Sequence, residues 1–265
     1  MTEESRPSRL RAWALSLAPA RGTGGRPAAL FEVPLVVLGV LLFARLHAAG
    51  GKDLTVATAN AVALQSAERT LHIDIELAVN RWLTEHPFLI MPSVFYYRLY
   101  YLVIAGALIW LYLRHGDGYR TARRTLFTMS FLAVPVFWAL PMSPPRFATP
   151  GVVDIIAEND IFGTFANQDG QNVYSAMPSM HTAWSLWCGY AVWSALRAAH
   201  PRWALLAWAF PLGMIAVVFL TGNHYVLDVV GSVVLLGAAI AVVSLWRRLT
   251  ARRRSPAGDV AVSSA

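Results

Sequence analysis

Long apolar runs constrain the fold of this chain more than any other feature of its sequence. A helix needs about 20 predominantly apolar residues, and rarely fewer than about 17, to cross a hydrocarbon core. The segments that meet this requirement are Leu30–His47, Tyr96–Leu113, Leu126–Met142, Met180–Leu196, Trp203–Leu220 and Val226–Trp246. Charged residues make up 14% of the chain, whereas soluble domains have about 25%. The pattern predicts an all-α, polytopic membrane protein with a six-transmembrane-helix bundle.

The basic residues predict how these spans are oriented. Lys and Arg are enriched in the cytoplasmic segments of membrane proteins. If six spans alternate, most of the 22 basic residues fall on one side, in both tails and in the connections after the second and fourth spans. We therefore predict a multi-pass protein of the plasma membrane with both termini in the cytoplasm. The net charge of +7 then reflects membrane topology, and we predict no nucleic-acid partner.

The remaining segments divide the chain into a membrane domain and two tails. Residues 30–248 form the predicted six-helix catalytic domain, and residues 1–29 and 249–265 form disordered, basic cytoplasmic tails. The segment Asp53–Glu85 lies outside the first span, and its apolar residues recur at helical spacing. This spacing predicts two amphipathic helices that rest at the membrane interface. The apolar residues are Val56, Ala59, Val62, Ala63, Ala67 and Leu71.

Three motifs place polar, reactive residues at the edges of the apolar spans. They are Pro144–Arg146 after the third span, Pro178–His181 at the start of the fourth, and Thr221–Asp228 at the start of the sixth. The alternation fixed by the basic residues puts all three on the non-cytoplasmic face. Because the charge distribution and the motif positions are independent observations, their agreement predicts a single active site on that face.

His224 and Asp228 are the strongest candidates for covalent catalysis. They are four residues apart, so on a helix they share one face. If Asp228 accepts a hydrogen bond from one imidazole nitrogen, it fixes the tautomer and leaves the other nitrogen free to attack. The same pair can also simply satisfy its own hydrogen bonds inside the bundle, and the spacing alone leaves both interpretations open.

The other two motifs supply groups that suit a phosphate. Pro178 cannot continue a preceding helix and Ser179 is a natural N-cap, so we predict that a helix begins here. The free N–H groups of a helix start favour an anion, and His181 in the first turn is placed to donate a proton. Arg146 can bind phosphate through its planar fork of donors or snorkel to the interface. Together these groups match the requirements of phosphoryl transfer.

The motifs resemble those of the type 2 phosphatidic acid phosphatase superfamily. Pro178–His181 is similar to its P-S-x-H motif, and His224–Asp228 is similar to its H-x-x-x-D motif. Pro144–Arg146 and Gly231 look closer still to the inositol phosphorylceramide synthase-like branch, which comprises inositolphosphotransferases. The resemblance covers the chain from roughly Glu68 onwards to the end of the last span, including the order and spacing of the spans.

The resemblance implies a metal-independent lipid phosphatase or phosphotransferase that needs no cofactor. His224, oriented by Asp228, would attack phosphorus and form a phosphohistidine, and His181 would protonate the departing group. Arg146 would bind the phosphate, and we add Ser179 at the helix start as a second phosphate-binding residue. The implied substrate is a lipid-linked phosphate within the membrane, surrounded by membrane lipids. The sequence indicates no particular protein partner.

Two cations of the superfamily pattern are missing from this chain. The superfamily has a Lys seven residues before the Arg of the first motif and an Arg six residues before the last His, where this chain has Ala139 and Val218. A single Arg146 would neutralise a phosphate incompletely, so we expect another cation at the site. Arg98, at the start of the second predicted span, is the candidate. The alternative for Arg98 is an interfacial residue in an aromatic belt.

Two other functional classes stay open at this point. The missing cations favour a non-catalytic carrier or binding protein for anionic lipids, although carriers usually place polar groups near mid-bilayer in broken helices. A zinc site built from His181, His224 and Asp228 would have one open position, but it gives the Pro–Ser helix start no role, so we predict no metal. A Ser179 nucleophile is disfavoured because backbone N–H groups occupy an N-cap hydroxyl.

Overall fold

The computed structural model describes residues 26–159 and 172–252, and the regular secondary structure of these residues is helical, without β-strands. The all-α prediction is confirmed for this part of the chain. The predicted tails lie mostly outside it. In chain order the α-helices are α1 (Ala29–Ala48), α2 (Leu54–Thr70), α3 (Glu76–Thr84), α4 (Ile90–Arg98), α5 (Tyr100–Arg114), α6 (Gly116–Ala139), α7 (Pro145–Ala148), α8 (Ile155–Glu158), α9 (Met180–Leu196), α10 (Pro201–Ala204), α11 (Ala209–Leu220) and α12 (Val226–Arg252). Short 3₁₀ helices at Pro87–Leu89 and Leu205–Trp208 lead into α4 and α11.

A few of these helices are long and apolar enough to cross a membrane. Among the described residues, Ala29–Ala48, Pro201–Leu220 and Val226–Ala251 are each long and apolar enough to span a bilayer. Pro87–Arg98 and Tyr100–Arg114 meet the same criteria only together, as a pair bent by 41°. By length and composition the structure therefore supports three or four spans, and the predicted number of six is not confirmed.

The two predicted spans without this support are α6 and α9, and each has a physical reason. The first half of α6 contains Arg120, Arg123 and Arg124, which lower its mean hydropathy. α9 has 17 residues and includes Ser, Thr and His among its apolar side chains. It also packs against α5, α6, α11 and α12. A helix that other helices surround contacts little lipid, so it tolerates more polar residues than a peripheral span.

Trp187 of α9 lies at the centre of the bundle. Its side chain is fully buried, and its indole N–H donates a hydrogen bond to the carbonyl oxygen of Ala122 on α6, 2.9 Å away. A buried indole needs such a partner because it has lost its hydrogen bond to water. Phe137 of α6 and Leu236 of α12 belong to the same buried cluster. The cluster holds α9 firmly against α6 and α12.

The first span, α1, lies at the periphery and packs against α6. Gly39 allows a close approach, since a Cβ at this position would lie 2.7 Å from the Phe127 ring. Glu32 forms a buried ion pair with Arg123 of α6. Most of the other apolar side chains of α1 are exposed, which is expected of a helix whose outer face contacts lipid.

Two helices, α2 and α3, occupy the segment predicted to be amphipathic. Gln65 and Glu68 of α2 are buried, whereas Val56, Val62 and Leu71 are exposed. The helix is thus inverted relative to one on a soluble protein, because its polar stripe faces the protein and its apolar stripe faces outwards. This arrangement suits a helix at a membrane interface, and it brings the carboxyl group of Glu68 into the bundle.

Candidate active site

A tight loop between α11 and α12, Thr221–Tyr225, places His224 at one end of the bundle. Gly222 has a φ of +71°, a left-handed conformation that glycine adopts without a Cβ penalty and that commonly ends helices. Its amide donates to the carbonyl oxygen of Phe219 at 3.0 Å. A Cβ at Gly222 would lie 2.6 Å from the Val152 side chain. The sharp turn therefore brings His224 directly before the first turn of α12.

His224 and Asp228 form the contact expected from their spacing. Nδ1 of His224 lies 3.3 Å from Oδ2 of Asp228 and 3.0 Å from the carbonyl oxygen of Ala176. A carbonyl oxygen can only accept a hydrogen bond, so Nδ1 carries a proton, and in the neutral ring this tautomer leaves the lone pair on Nε2. Oδ2 of Asp228 also accepts from the amide of Tyr225 at 2.9 Å. The arrangement is that of a nucleophilic imidazole oriented by a buried carboxylate.

Hydrogen bonds tie the start of α9 to the start of α12. The Ser232 hydroxyl lies 2.8 Å from the carbonyl oxygens of both Ser179 and Asp228, to which it can donate. The amide of Ser179 donates to the carbonyl oxygen of Asp228 at 3.3 Å. Because these bonds join two helix starts, His181 and His224 are held at the same end of the bundle.

Ser179 is the N-cap of α9, as its position after proline predicts. Its hydroxyl accepts a hydrogen bond from the amide of Thr182 at 3.3 Å and donates to the Thr182 hydroxyl at 3.0 Å. The hydroxyl and the amide of Ser179 thus both have partners inside the protein. Its direct contact with phosphate stays a prediction. The amides of the first turn of α9, which have no acceptor within the helix, are better placed for this purpose.

His181 lies beside His224 and against two tyrosines. The centroids of the two imidazole rings are 6.0 Å apart, so both rings lie within reach of one phosphate group. The Tyr97 ring stacks on His181 with a centroid distance of 4.2 Å, and Tyr100 meets its edge at 4.6 Å. The Tyr97 hydroxyl lies 3.4 Å from Nδ1 of His181 and 3.5 Å from Oδ1 of Asn223. The tyrosines therefore fix the plane of the His181 ring.

Arg146 on α7 is fastened to the loop that carries His224. Its Nη1 group donates to the side-chain oxygen of Asn223, and its amide donates to the carbonyl oxygen of Gly222 at 2.9 Å. Its Nε atom is 3.1 Å from Oδ2 of Asp154 in an ion pair. An arginine that only snorkels to an interface needs none of these contacts. The placement favours the interpretation of Arg146 as a phosphate-binding residue.

Arg98, the predicted second cation, is the last residue of α4. Its guanidinium carbon lies 5.9 Å from the centroid of the Tyr97 ring, and the Tyr97 ring stacks on His181. Val218, at the position of the missing superfamily Arg, is fully buried in the apolar cluster that contains Tyr97. Ala139, at the position of the missing Lys, is the last residue of α6. The role of Arg98 as the replacement cation stays a prediction.

Two buried acidic residues at the start of α12 were not anticipated from the sequence. Oε1 of Glu68 accepts a hydrogen bond from the amide of Leu227 at 2.7 Å, and Oε1 of Glu76 accepts from the amide of Val226 at 3.1 Å. Burial raises the pKa of Glu76, and it raises the pKa of Glu68 to about 8. A signal existed in the sequence, because Glu68 lies on one helical stripe of α2 with small and polar residues. That stripe is Ala57, Ala61, Gln65 and Glu68.

Other supporting residues were also missed by the sequence analysis. Asn223 and Tyr97 each stand next to a predicted site residue, and this adjacency was the available signal. Ser232 lies one helical turn beyond Asp228, so its position on the same face of α12 was predictable. Asp154 is one of several acidic residues in its connection, and no pattern distinguishes it from the others.

The zinc interpretation has no support in the described part of the chain. Among residues 26–159 and 172–252, no group of three or more His, Cys, Asp or Glu side chains is arranged to hold a metal ion.

Comparison with known proteins identifies one family. The sequence profile of the PAP2 superfamily matches residues 62–242. This range includes Arg146, His181, His224 and Asp228. Members of this superfamily are generally phosphatases or phosphotransferases. No curated protein and no solved structure matches the chain. The match supports the superfamily resemblance, and it does not confirm the inositol phosphorylceramide synthase-like branch.

Proposed function

Because the chain belongs to the PAP2 superfamily, we propose that it is a membrane enzyme that transfers phosphoryl groups from lipid-linked phosphates. One observation carries the proposal. Nδ1 of His224 is held by Ala176 and Asp228, and the ring of His181 lies 6.0 Å away. This geometry leaves Nε2 of His224 as an unprotonated nucleophile beside a second imidazole that can transfer a proton.

In the first step, Nε2 of His224 attacks the phosphorus atom, and the bond between phosphorus and the lipid oxygen breaks. The departing oxygen takes a proton from protonated His181, so that it leaves as an alcohol. Asp228 stabilises the positive charge that develops on the His224 ring through its contact with Nδ1–H. The products of this step are a lipid alcohol and a phosphohistidine.

In the second step, neutral His181 accepts a proton from water or from an alcohol, whose oxygen attacks the phosphohistidine. The phosphorus–nitrogen bond breaks, and its electron pair returns to Nε2 of His224. Water yields inorganic phosphate, whereas an alcohol yields a new phosphate ester. With a phosphodiester substrate the same steps transfer a phospho-head-group. The resemblance of Pro144–Arg146 and Gly231 to the inositolphosphotransferases favours an alcohol as acceptor.

Arg146 and Arg98 would bind the equatorial phosphate oxygens, together with amides in the first turn of α9. Their charges stabilise the negative charge of the transferring group, which is the main requirement of phosphoryl transfer. The reaction assigned to these residues needs no metal ion. Exposed arginines at the far end of the bundle support an orientation with that end in the cytoplasm. We accordingly propose that α6 and α9 complete six spans and that His224 faces away from the cytoplasm of the plasma membrane.

The test is turnover of a labelled lipid phosphate by the purified protein in detergent, with a chelator present throughout. Phosphate release and alcohol-adduct formation are measured in parallel, and a rapid quench at alkaline pH traps the phosphohistidine. His224→Ala should lower turnover by at least about 10⁴-fold and abolish the trapped species. His200→Ala is the matched control, because this exposed histidine lies beyond the other end of α9.

The outcomes separate the candidate functions. Adduct formation identifies a transferase, and release of phosphate alone identifies a phosphatase. Saturable binding of the lipid without turnover in the unmodified protein would support the alternative of a non-catalytic carrier of anionic lipids. Unchanged turnover in His224→Ala would overturn the assignment of the nucleophile.

A further inference from the structure

Three consecutive amides at the start of α12 are each bound by a different carboxyl group. The pairs are Tyr225 with Asp228, Val226 with Glu76, and Leu227 with Glu68. The first amides of a helix have no acceptor within the helix and form the positive end of its dipole. Two of the three carboxyl groups come from α2 and α3, 159 and 150 residues away in sequence. Side chains of α2 and α3 therefore bind the start of α12, the helix that begins just after His224.

Glu68 and Glu76 are unusual because acidic residues are rarely buried without a basic partner. They are 0% and 4% exposed, and each places its Oε1 atom on a neighbouring amide of α12. Arg69, the neighbour of Glu68 in sequence, turns instead to Asp74 at the surface. Two adjacent carboxyl groups are not both ionised at neutral pH when a third, Asp228, also acts on them. The pair therefore retains one proton.

We propose that Glu68 and Glu76 are positioning residues: a carboxyl pair that shares a proton, fixes the first turn of α12, and thereby directs His224 and Asp228. Glu68, in its protonated form, donates to Glu76, and each residue keeps an oxygen on an amide of α12. Loss of the pair would leave two buried amides without acceptors, which destabilises the first turn of α12. The catalytic consequence rests on the proposed function, whereas the structural consequence does not.

The ionisable groups that face the pair define its behaviour with pH. They are Asp228 on α12 and Tyr225 in the preceding loop, both of which interact with the pair electrostatically. Above about pH 8, where Glu68 ionises, two carboxylates would repel each other and Asp228. The first turn of α12 should then loosen. Glu68→Gln cannot ionise, yet its amide can still accept from Leu227 and donate to Glu76.

Three variants test the proposal: Glu68→Gln, Glu68→Ala and the matched control Gln65→Ala. Gln65 is buried on the same face of α2 but bonds to Thr149 and not to α12. Steady-state kinetics from neutral to alkaline pH give kcat and KM, and hydrogen exchange measures protection of the amides at residues 225–228. Glu68→Ala should lower kcat about 100-fold with KM changed less than about threefold, and it should increase exchange at Leu227.

Glu68→Gln should keep kcat within about threefold of the unmodified protein and should remove its alkaline decrease. Equal kinetics of Glu68→Ala and Gln65→Ala, or an alkaline decrease retained in Glu68→Gln, would overturn the positioning role. Unchanged exchange at Leu227 in Glu68→Ala would overturn it as well. If the unmodified protein has no turnover at all, the proposed function fails while the exchange measurement still decides the role of the pair.

An independent feature, a cavity of about 700 Å³, opens at the opposite end of the bundle. Arg114, Arg197 and Arg247 line it from the ends of α5, α9 and α12, and Asp117 is the one acidic residue in its lining. Arg247 is about 30 Å along α12 from the first turn, at 1.5 Å per residue. The cavity is therefore separate from the His224 site.

We infer that this cavity binds a phosphate-type anion, either a lipid headgroup or soluble phosphate. Arginines from three helices line it, and guanidinium groups match the geometry of phosphate oxygens. Gly116 at the start of α6 also lines the cavity, and no side chain caps this helix. Its first amides therefore add donors and the positive end of the helix dipole.

The test compares two triple variants that remove the same charge from the same end of the bundle. Arg114→Gln/Arg197→Gln/Arg247→Gln alters the cavity, whereas Arg120→Gln/Arg124→Gln/Arg248→Gln alters residues outside its lining. Thermal unfolding is measured in phosphatidylcholine nanodiscs with and without phosphatidylglycerol, and in detergent with inorganic phosphate. The cavity variant should lose most of the stabilisation by anions, and the control should keep it.

Stabilisation by phosphatidylglycerol alone identifies a headgroup site, and stabilisation by inorganic phosphate identifies a soluble ligand. An equal response of both variants would overturn the inference.

Discussion

The two ends of α12 hold charged residues in opposite ways. At the His224 end, Asp228 is fully buried, and its Oδ2 atom accepts hydrogen bonds from His224 and from the amide of Tyr225. At the other end, Arg247 and Arg248 are exposed. Specific hydrogen bonds thus stabilise the charge at one end of the helix, whereas solvent or lipid headgroups stabilise the charges at the other end.

This difference indicates where in the chain a charged residue has a chemical role. An exposed charge at a membrane surface is stabilised by water and sets topology. A buried charge loses several kcal/mol of hydration, so it persists only where hydrogen bonds compensate it. Under the proposed function, the end of the bundle that buries charge is therefore the end that performs the phosphoryl transfer. Substitutions at the two ends should differ in effect by orders of magnitude.

Among substitutions in α12 itself, the largest expected effect is that of Asp228→Asn. Oδ2 of Asp228 accepts from both the amide of Tyr225 and Nδ1–H of His224, and an amide side chain no longer stabilises a positive imidazole. We expect kcat to fall about 10³- to 10⁴-fold, by analogy with the loss of the aspartate in a catalytic triad. Turnover of labelled lipid phosphate measures the change, and Asp74→Asn at the surface is the control. A decrease smaller than tenfold would separate Asp228 from catalysis.

The motif residues of the site were predictable from the sequence because they lie in short, local patterns. His224 and Asp228 are one helical turn apart, and Ser179 follows proline at a helix start. Such relationships depend only on helix geometry. The Glu68 contact with Leu227 joins residues 159 apart, so no local pattern contains it. The stripe on α2 is a local signal of a buried face that the sequence analysis did not use, and it does not identify α12 as the partner.

The fold was predictable from the sequence to about the same extent as the site. Apolar periodicity identified the helices and their all-α arrangement, because each is a continuous local signal. The number of spans depends on which helices contact lipid, and that property belongs to the packed bundle. α9 is the example, since neighbours on several sides replace the apolar surface that a peripheral span requires.

The next largest effect should be that of Arg146→Lys. Arg146 bonds to Asn223 and pairs with Asp154, and only a guanidinium can keep these contacts while it presents further donors to a phosphate. We expect kcat/KM to fall about 100-fold, which corresponds to the loss of a charge-assisted hydrogen bond. Inhibition by inorganic phosphate should weaken in parallel. Arg248→Lys is the matched control at the exposed end, and equal effects of the two changes would contradict the comparison.

A smaller effect concerns the pH dependence of stability. The folded protein raises the pKa of Glu68 from its ordinary 4.5 to about 8, so the folded state binds this proton more tightly than the unfolded chain does. Its contribution to stability is therefore greatest below about pH 4.5 and declines as the pH rises to about 8. The melting temperature of the unmodified protein should fall by more between mildly acidic and alkaline pH than that of Glu68→Gln. Parallel curves from tryptophan fluorescence would show that Glu68 does not retain a proton.

The smallest effect should come from Arg248→Gln at the exposed end. Arg248 is exposed on the last turns of α12, so its removal leaves no buried group without a partner. We expect kcat to stay unchanged and the free energy of unfolding to change by less than about 0.5 kcal/mol. The single cysteine, Cys188, is buried, so its reaction with a thiol dye reports unfolding directly. A change above about 1 kcal/mol would be typical of a buried interaction. The arginine end would then also depend on specific bonds, and the contrast between the two ends of α12 would be lost.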